Sequence, residues 1–151
     1  MSMEITDSVC SVLARKGYRV SSVPPGCPVR EALARMAEED IGALAVMDGD
    51  RLLGAFTERD YARKIILLGR SSAETTVAEA MTQPATCVQP GTSVDDCMRL
   101  MVVSRSRHLF AIDHGKVVGI VSIGDLVNWI ISVQAETITQ LHGYIAGSYP
   151  G

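Results

Sequence analysis

The chain has 151 residues, 47% hydrophobic and only 5% aromatic, enough for one compact unit with an aliphatic core. Its net charge of −3 argues against a nucleic-acid binder or a membrane-surface protein. The most apolar stretch, residues 117–133, is interrupted by Asp125 and Asn128 and does not read as a membrane span.

The opening MSMEITDSVC lacks a basic region followed by an apolar one, so no secretory signal is expected and a cytoplasmic location is. Cys10, Cys27, Cys87 and Cys97 show neither C-x-x-C pairing nor zinc-like spacing with histidines. Reduced, mostly buried thiols and no metal site are the expectation.

Residues 1–17 form an N-terminal helical segment, with the helix over 5–16. Residues 18–70 hold a first unit. YRVSSV reads as a strand, and P-P-G as the turn after it. A helix follows with apolar residues at Val29, Ala32, Leu33 and Met36, entered through Pro28 as its first residue. The strands ALAVM and RLLGAF come next, joined by the tight-turn residues DGD, and a second helix opens at Thr57. Residues 71–84 are a linker, helical over TVAEAM.

Residues 85–145 repeat this order. ATCV is the strand and Q-P-G the turn; the helix carries Val94, Cys97, Met98 and Met101 behind a Thr92/Asp95 capping box. HLFAI and KVVGIV flank DHG, and a helix opens at Ser122 and runs on through an apolar series at Val133, Ile138, Leu141 and Ile145. Residues 146–151 read as a frayed tail.

The second unit is the first written again. A shift of 65 residues aligns 23–66 with 88–131 without a gap, with identities including Pro25/Pro90, Gly26/Gly91, Met36/Met101, Gly54/Gly119 and Asp60/Asp125. A register this long indicates an internal duplication. The fold class is therefore α/β (α+β), a tandem β-α-β-β-α repeat.

Each copy closes on G-x-x-[ST]-x-x-D: GAFTERD and GIVSIGD. Thr57 with Asp60, and Ser122 with Asp125, have capping-box spacing, which needs no ligand. The same carboxylate at a helix start also suits a ribose diol. Gly54 and Gly119 are not required for capping and would let a ligand approach the backbone. Before the strand HLFAI stand Arg105, Arg107 and His108, either a solvated loop or a phosphate clamp built on guanidinium forks. The first copy has Gly42 and Ala43 where the second has Arg107 and His108, so two sites built from these parts are chemically unequal. Arg59, Arg63 and Lys64 could supply charge there or merely face solvent. Trp129 reads as core or as a dimer surface.

These residues together resemble the tandem cystathionine-β-synthase-type (CBS) domain pair, or Bateman module, over nearly the whole chain. The resemblance implies repeats related by a pseudo-twofold axis, with two clefts between them for adenosine-containing ligands such as AMP, ADP, ATP, NAD or S-adenosylmethionine. It assigns Asp60 and Asp125 to ribose, Thr57 and Ser122 to ribose or phosphate, and the Arg107–His108 region to phosphate. Phe110 departs from the family's R-H-L-P pattern. The candidate ligand set is Gly54, Thr57, Arg59, Asp60, Arg105, Arg107, His108, Gly119, Ser122 and Asp125, with no catalytic or metal residue and no required cofactor.

The resemblance further implies a stand-alone regulatory sensor that is not an enzyme, forms a homodimer and reports to a separate target protein, without nucleic acid or membrane. The alternative is a structural interaction scaffold with vestigial clefts. Which T-x-x-D motif faces the arginine cluster depends on how the repeats cross.

Overall fold

The computed structural model describes residues 7–145, with side chains through 136. The tail 146–151 and residues 5–6 of the helix expected over 5–16 lie outside the described residues, and the helix itself begins at Val9.

Helix α1 (Val9–Lys16) precedes β1 (Ser22–Val23), α2 (Val29–Glu39), β2 (Ala43–Asp48) and β3 (Arg51–Thr57). A short α3 (Glu58–Asp60) passes into π-helical turns over Tyr61–Ile66, marked by the Leu67 N–H bonding back to the Ala62 carbonyl at 3.1 Å. After α4 (Val77–Ala80) the pattern recurs as β4 (Cys87–Val88), α5 (Val94–Ser104), β5 (His108–Asp113), β6 (Lys116–Ser122) and α6 (Ile123–Ile145).

The two sheets have the same topology, β1-β2-β3 and β4-β5-β6, with the outer pair parallel and the hairpin antiparallel. Ala43 pairs with Thr57 and His108 with Ser122, and both hairpins carry an irregularity at the equivalent step, Val46/Met47 and Ala111/Ile112. The 65-residue duplication thus extends to the bulge. The second hairpin turn places His114 and Gly115 at φ 51° and 78°, as a type I′ turn demands.

Local details differ from the sequence expectations. The first strand of each copy is only two residues long. Pro28 is the cap of α2 rather than its first residue, because it sits at ψ 142° and pairs with Thr76. The cap of α5 is Ser93, whose hydroxyl accepts from the Asp96 N–H; the Thr92 hydroxyl instead closes the preceding turn by accepting from Gln89 N–H. Two thiols, Cys27 and Cys97, are buried and two, Cys10 and Cys87, are exposed, all four free. Burial and then the nearby Asp96 push the Cys97 thiol up to about 11, so it is an inert core thiol.

Among the described residues, three apolar clusters hold the fold together. In repeat 1, Val29, Ala32 and Met36 of α2 pack with Leu44, Val46 and Phe56, and α4 of the linker adds Val77 and Ala80. In repeat 2 the matching cluster is closed by α1, through Val9, Val12 and Leu13. The N-terminal helix therefore completes the second repeat, as the linker completes the first.

The third cluster lies between the sheets, where Ala45 and Ala55 of repeat 1 meet Phe110 and Ile120 of repeat 2. These are equivalent positions, small in one copy and large in the other, so the duplicated faces interdigitate. Phe110 is 1% exposed there, and its N–H donates to the Thr86 carbonyl at 2.9 Å, a bond that a proline could not make.

Candidate functional site

Both T-x-x-D-type motifs are real helix caps. The Thr57 N–H donates to Asp60 Oδ2 at 3.0 Å and the Asp60 N–H to Thr57 Oγ1 at 3.2 Å. The corresponding distances at Ser122 and Asp125 are 2.8 and 3.1 Å. Each cap ends a hairpin and points its helix start at the opposite repeat, so capping and lining a cleft coexist.

The larger cleft, about 890 Å³, combines parts of both copies. Repeat 1 supplies Thr57, Glu58, Arg59, Asp60, Arg63 and Lys64; repeat 2 supplies Ser104, Arg105, Ser106, Arg107, His108 and Phe110. The crossing is thus decided: the first acidic motif faces the second repeat's arginine cluster. Arg59 ties the halves together by donating to the Arg105 carbonyl at 2.8 Å. Arg105 itself ends α5 in the left-handed region, at φ 56°. Among the described residues the guanidinium groups of Arg63, Arg105 and Arg107 have no acceptor. They are donors without an anion.

Asp60 is 6% exposed and already well satisfied. Besides its cap it accepts from Thr57 Oγ1 at 3.1 Å and Thr82 Oγ1 at 2.7 Å, and lies 3.3 Å from Lys64 Nζ. A carboxylate has about four acceptor directions, so a ribose hydroxyl here would replace a contact rather than find a vacant one. The Lys64 contact is the longest of the set.

The smaller cleft, about 360 Å³, holds Ser122 and Asp125 opposite Glu39, Asp40, Ile41 and Gly42 of repeat 1. Lys16 of α1 enters it and meets Asp125 Oδ2 at 2.6 Å. Burial resists ionisation of Asp125, but the Lys16 bond and the Ser122 N–H outweigh it and hold the carboxyl below the usual range. His108 lies in the wall between the clefts, lining both. Its pKa is pushed down, first by burial and then by Lys16 and Arg107, against the opposing pull of Asp125.

Two expected ligand residues do not reach either cleft. A Cβ on Gly54 would stand 2.5 Å from the Thr82 carbonyl, and one on Gly119 would stand 2.6 Å from Leu13 methyls. These glycines make room for the linker and for α1. Trp129 is also absorbed internally: its Nε1 donates to Asp7 at 2.9 Å and Arg15 lies 5.7 Å from its ring centroid. It fastens the N-terminal segment to repeat 2. The sequence reading missed Lys16 and Thr82, which reach the two aspartates from α1 and from the segment after α4. The 65-residue alignment carries no signal for either.

No group of three His, Cys, Asp or Glu side chains among the described residues could hold a metal. No helix among them is long and apolar enough to cross a membrane.

A two-repeat α+β fold with clefts between the copies is matched by the CBS domain family model twice, over residues 13–67 and 77–132. The chain belongs to the CBS domain family. It is 40% identical over 126 residues to the mitochondrial CBS domain-containing protein CBSX3 of Arabidopsis thaliana, a match covering 80% of this chain and 61% of that protein. The structure of a putative signal-transduction protein with CBS domains from Burkholderia ambifaria superposes with a TM-score of 0.80 at 45% identity, covering 83% of this chain and 94% of that one. A hexameric CBS-CP12 protein from bloom-forming cyanobacteria superposes with a TM-score of 0.67 at 26% identity, covering 73% of this chain and 65% of that one.

Proposed function

We propose that the chain is a non-enzymatic regulatory module that binds an adenine nucleotide, AMP, ADP or ATP, in the larger cleft. One observation carries this reading: three guanidinium groups without an internal anion converge with the Thr57–Asp60 helix start on one cavity of nucleotide size. Phosphate engages Arg105 and Arg107, with Arg63 as a further donor, through charge-assisted bonds that outweigh those of neutral donors. The ribose lies against Thr57 and Asp60, where its hydroxyls replace the 3.3 Å Lys64 contact and release that ammonium toward phosphate. Arg59 and His108 shape the walls. NAD and S-adenosylmethionine share the adenosine moiety, but the latter is cationic and gains least from this cleft.

Signalling requires the ligand to favour one state of the protein. Residues of both repeats line the cavity, so occupancy draws them together and can be read by a target protein. A homodimer fits the exposed apolar series Ile123, Val127 and Ile131 along α6, at 39%, 39% and 57% exposure. The buried thiols Cys27 and Cys97 lie in separate clusters and suit a reducing compartment such as the cytoplasm.

Thermal unfolding with and without each compound tests the proposal. A ligand at about a hundred times its Kd adds roughly 2.7 kcal/mol, a rise of roughly 5–10 °C for a chain this size. A rise with AMP, ADP or ATP supports the sensor. No rise with any adenosine compound favours the interaction scaffold.

A further inference from the structure

The smaller cleft differs from the larger in one respect that its shape does not reveal: its Glu39 and Asp125 carboxylates are answered by cations from within the chain. Glu39 accepts from Ser21 at 2.5 Å, from Arg35 at 2.7 Å and from Arg19 at 2.5 Å. Asp125 Oδ2 takes the Ser122 N–H and the Lys16 ammonium, and the same ammonium also donates to the Ile120 carbonyl. In the larger cleft Asp60 is satisfied by its cap, by Thr82 and by Lys64, but the guanidinium groups of Arg63, Arg105 and Arg107 are unpartnered among the described residues.

Lys16 is delivered by a rigid element. Val9, Val12 and Leu13 of α1 are 0–2% exposed in the repeat 2 core, and Asp7 is bonded to Trp129. Lys16 follows these anchors by less than one helical turn. In repeat 1 the linker occupies the matching place and offers Asp60 the short Thr82 hydroxyl. The N-terminal helix offers Asp125 a long, charged side chain instead.

We infer that Lys16 is a built-in occupant of the smaller cleft, taking the carboxylate edge that a ribose diol would need, so that each chain takes one nucleotide and takes it in the larger cleft. The identity of the ligand rests on the function proposed above; the occupancy by Lys16 does not. A ribose hydroxyl entering the smaller cleft must displace an ammonium held by the Ile120 carbonyl and, at 2.6 Å, by Asp125, whereas the Lys64 ammonium of the larger cleft stands off at 3.3 Å from Asp60 and 3.1 Å from the Met81 carbonyl. A phosphate group there finds Arg19 already committed to Glu39.

Two measurements separate the claims. The first needs no ligand. The chain has three lysines, Lys16, Lys64 and Lys116, and their rates of amine acetylation can be read by mass spectrometry. Lys16 is expected to react several-fold more slowly than the hairpin residue Lys116, and Asp125→Asn to remove most of that difference. Equal rates in the native protein overturn the inference whether or not any nucleotide binds.

The second is calorimetric titration with AMP, expected to give one site per chain in the native protein and two in Lys16→Met, which keeps the apolar stem. Two sites in the native protein, or one in a folded Lys16→Met that retains the first, overturn it. AMP failing to bind either protein refutes the nucleotide reading and leaves the acetylation rates to decide on Lys16.

Discussion

Trp129 Nε1 donates to the Asp7 carboxylate at 2.9 Å, across 122 residues of sequence. This bond joins the start of the described chain to the last helix of the second repeat. With Arg15 over the indole face, it makes α1 part of repeat 2. Replacing Trp129 by Phe removes the donor and keeps most of the apolar ring. A loss of about 0.5–1.5 kcal/mol follows from the hydrogen bond, or a fall in Tm of roughly 2–5 °C. Differential scanning calorimetry reads it, and an unchanged Tm would mean that the N-terminal segment contributes nothing through this contact.

Gly54 separates packing from ligand access. Gly54→Ala sets a methyl 2.5 Å from the Thr82 carbonyl, which is backbone paired with Ala55 and cannot easily give way. Overpacking of this kind costs about 1–3 kcal/mol, so Tm falls by roughly 3–10 °C. Gly26→Ala and Gly91→Ala meet nothing within 4 Å and serve as controls. Thermal melts of the three variants check it; equal stability of all three would show that the linker does not pack as described.

Arg107 should show the opposite profile. Its side chain is exposed and bears no internal partner, so Arg107→Ala leaves Tm nearly unchanged. A lost charge-assisted bond of about 1.5–3 kcal/mol weakens AMP binding roughly 10- to 100-fold, while adenosine is little affected. Calorimetric titration with both ligands checks this. Equal losses for AMP and adenosine would remove Arg107 from the phosphate role.

Acid should destabilise the protein in two steps. His108 is held neutral below its ordinary 6.5, chiefly by burial, with Lys16 and Arg107 reinforcing and Asp125 opposing. Its contribution is complete above the unfolded value and is lost as pH falls from 6.5 through the folded one, because the unfolded chain binds the extra proton. Asp125 is depressed too, so its contribution is lost further down, as pH drops through and below the ordinary carboxylate range near 3.8. Melts at pH 7.5, 6.5 and 5.5 should therefore fall with pH in the native protein and flatten in His108→Gln. A parallel decline in both proteins would show that other groups carry the effect.

Much of this architecture was legible before any coordinates. The 65-residue register encodes the strands and helices, because a duplicated sequence repeats its hydrophobic periods and its turn residues. The cap motifs were also readable, since Thr57 and Asp60 act on each other at a spacing fixed by one helical turn. What was hidden is what approaches from a distance. Gly54 looked like room for a ligand, yet Thr82 fills that room from the linker. Asp125 read as a cap that also suits a ribose, yet Lys16 reaches it across 109 residues. Trp129 bonds to Asp7, a contact no periodicity announces. The pairing of the first acidic motif with the second repeat's arginines likewise emerges only when Ala45 and Ala55 pack against Phe110 and Ile120.

A nucleotide bound between the Thr57–Asp60 helix start and the Arg105–His108 segment is read by amide chemical-shift mapping during titration with AMP. Saturable shifts are expected to concentrate in residues 57–64 and 104–110, with residues 120–125 much less affected. Shifts centred on residues 120–125, or no saturable shifts in a folded, ligand-free sample, would contradict it.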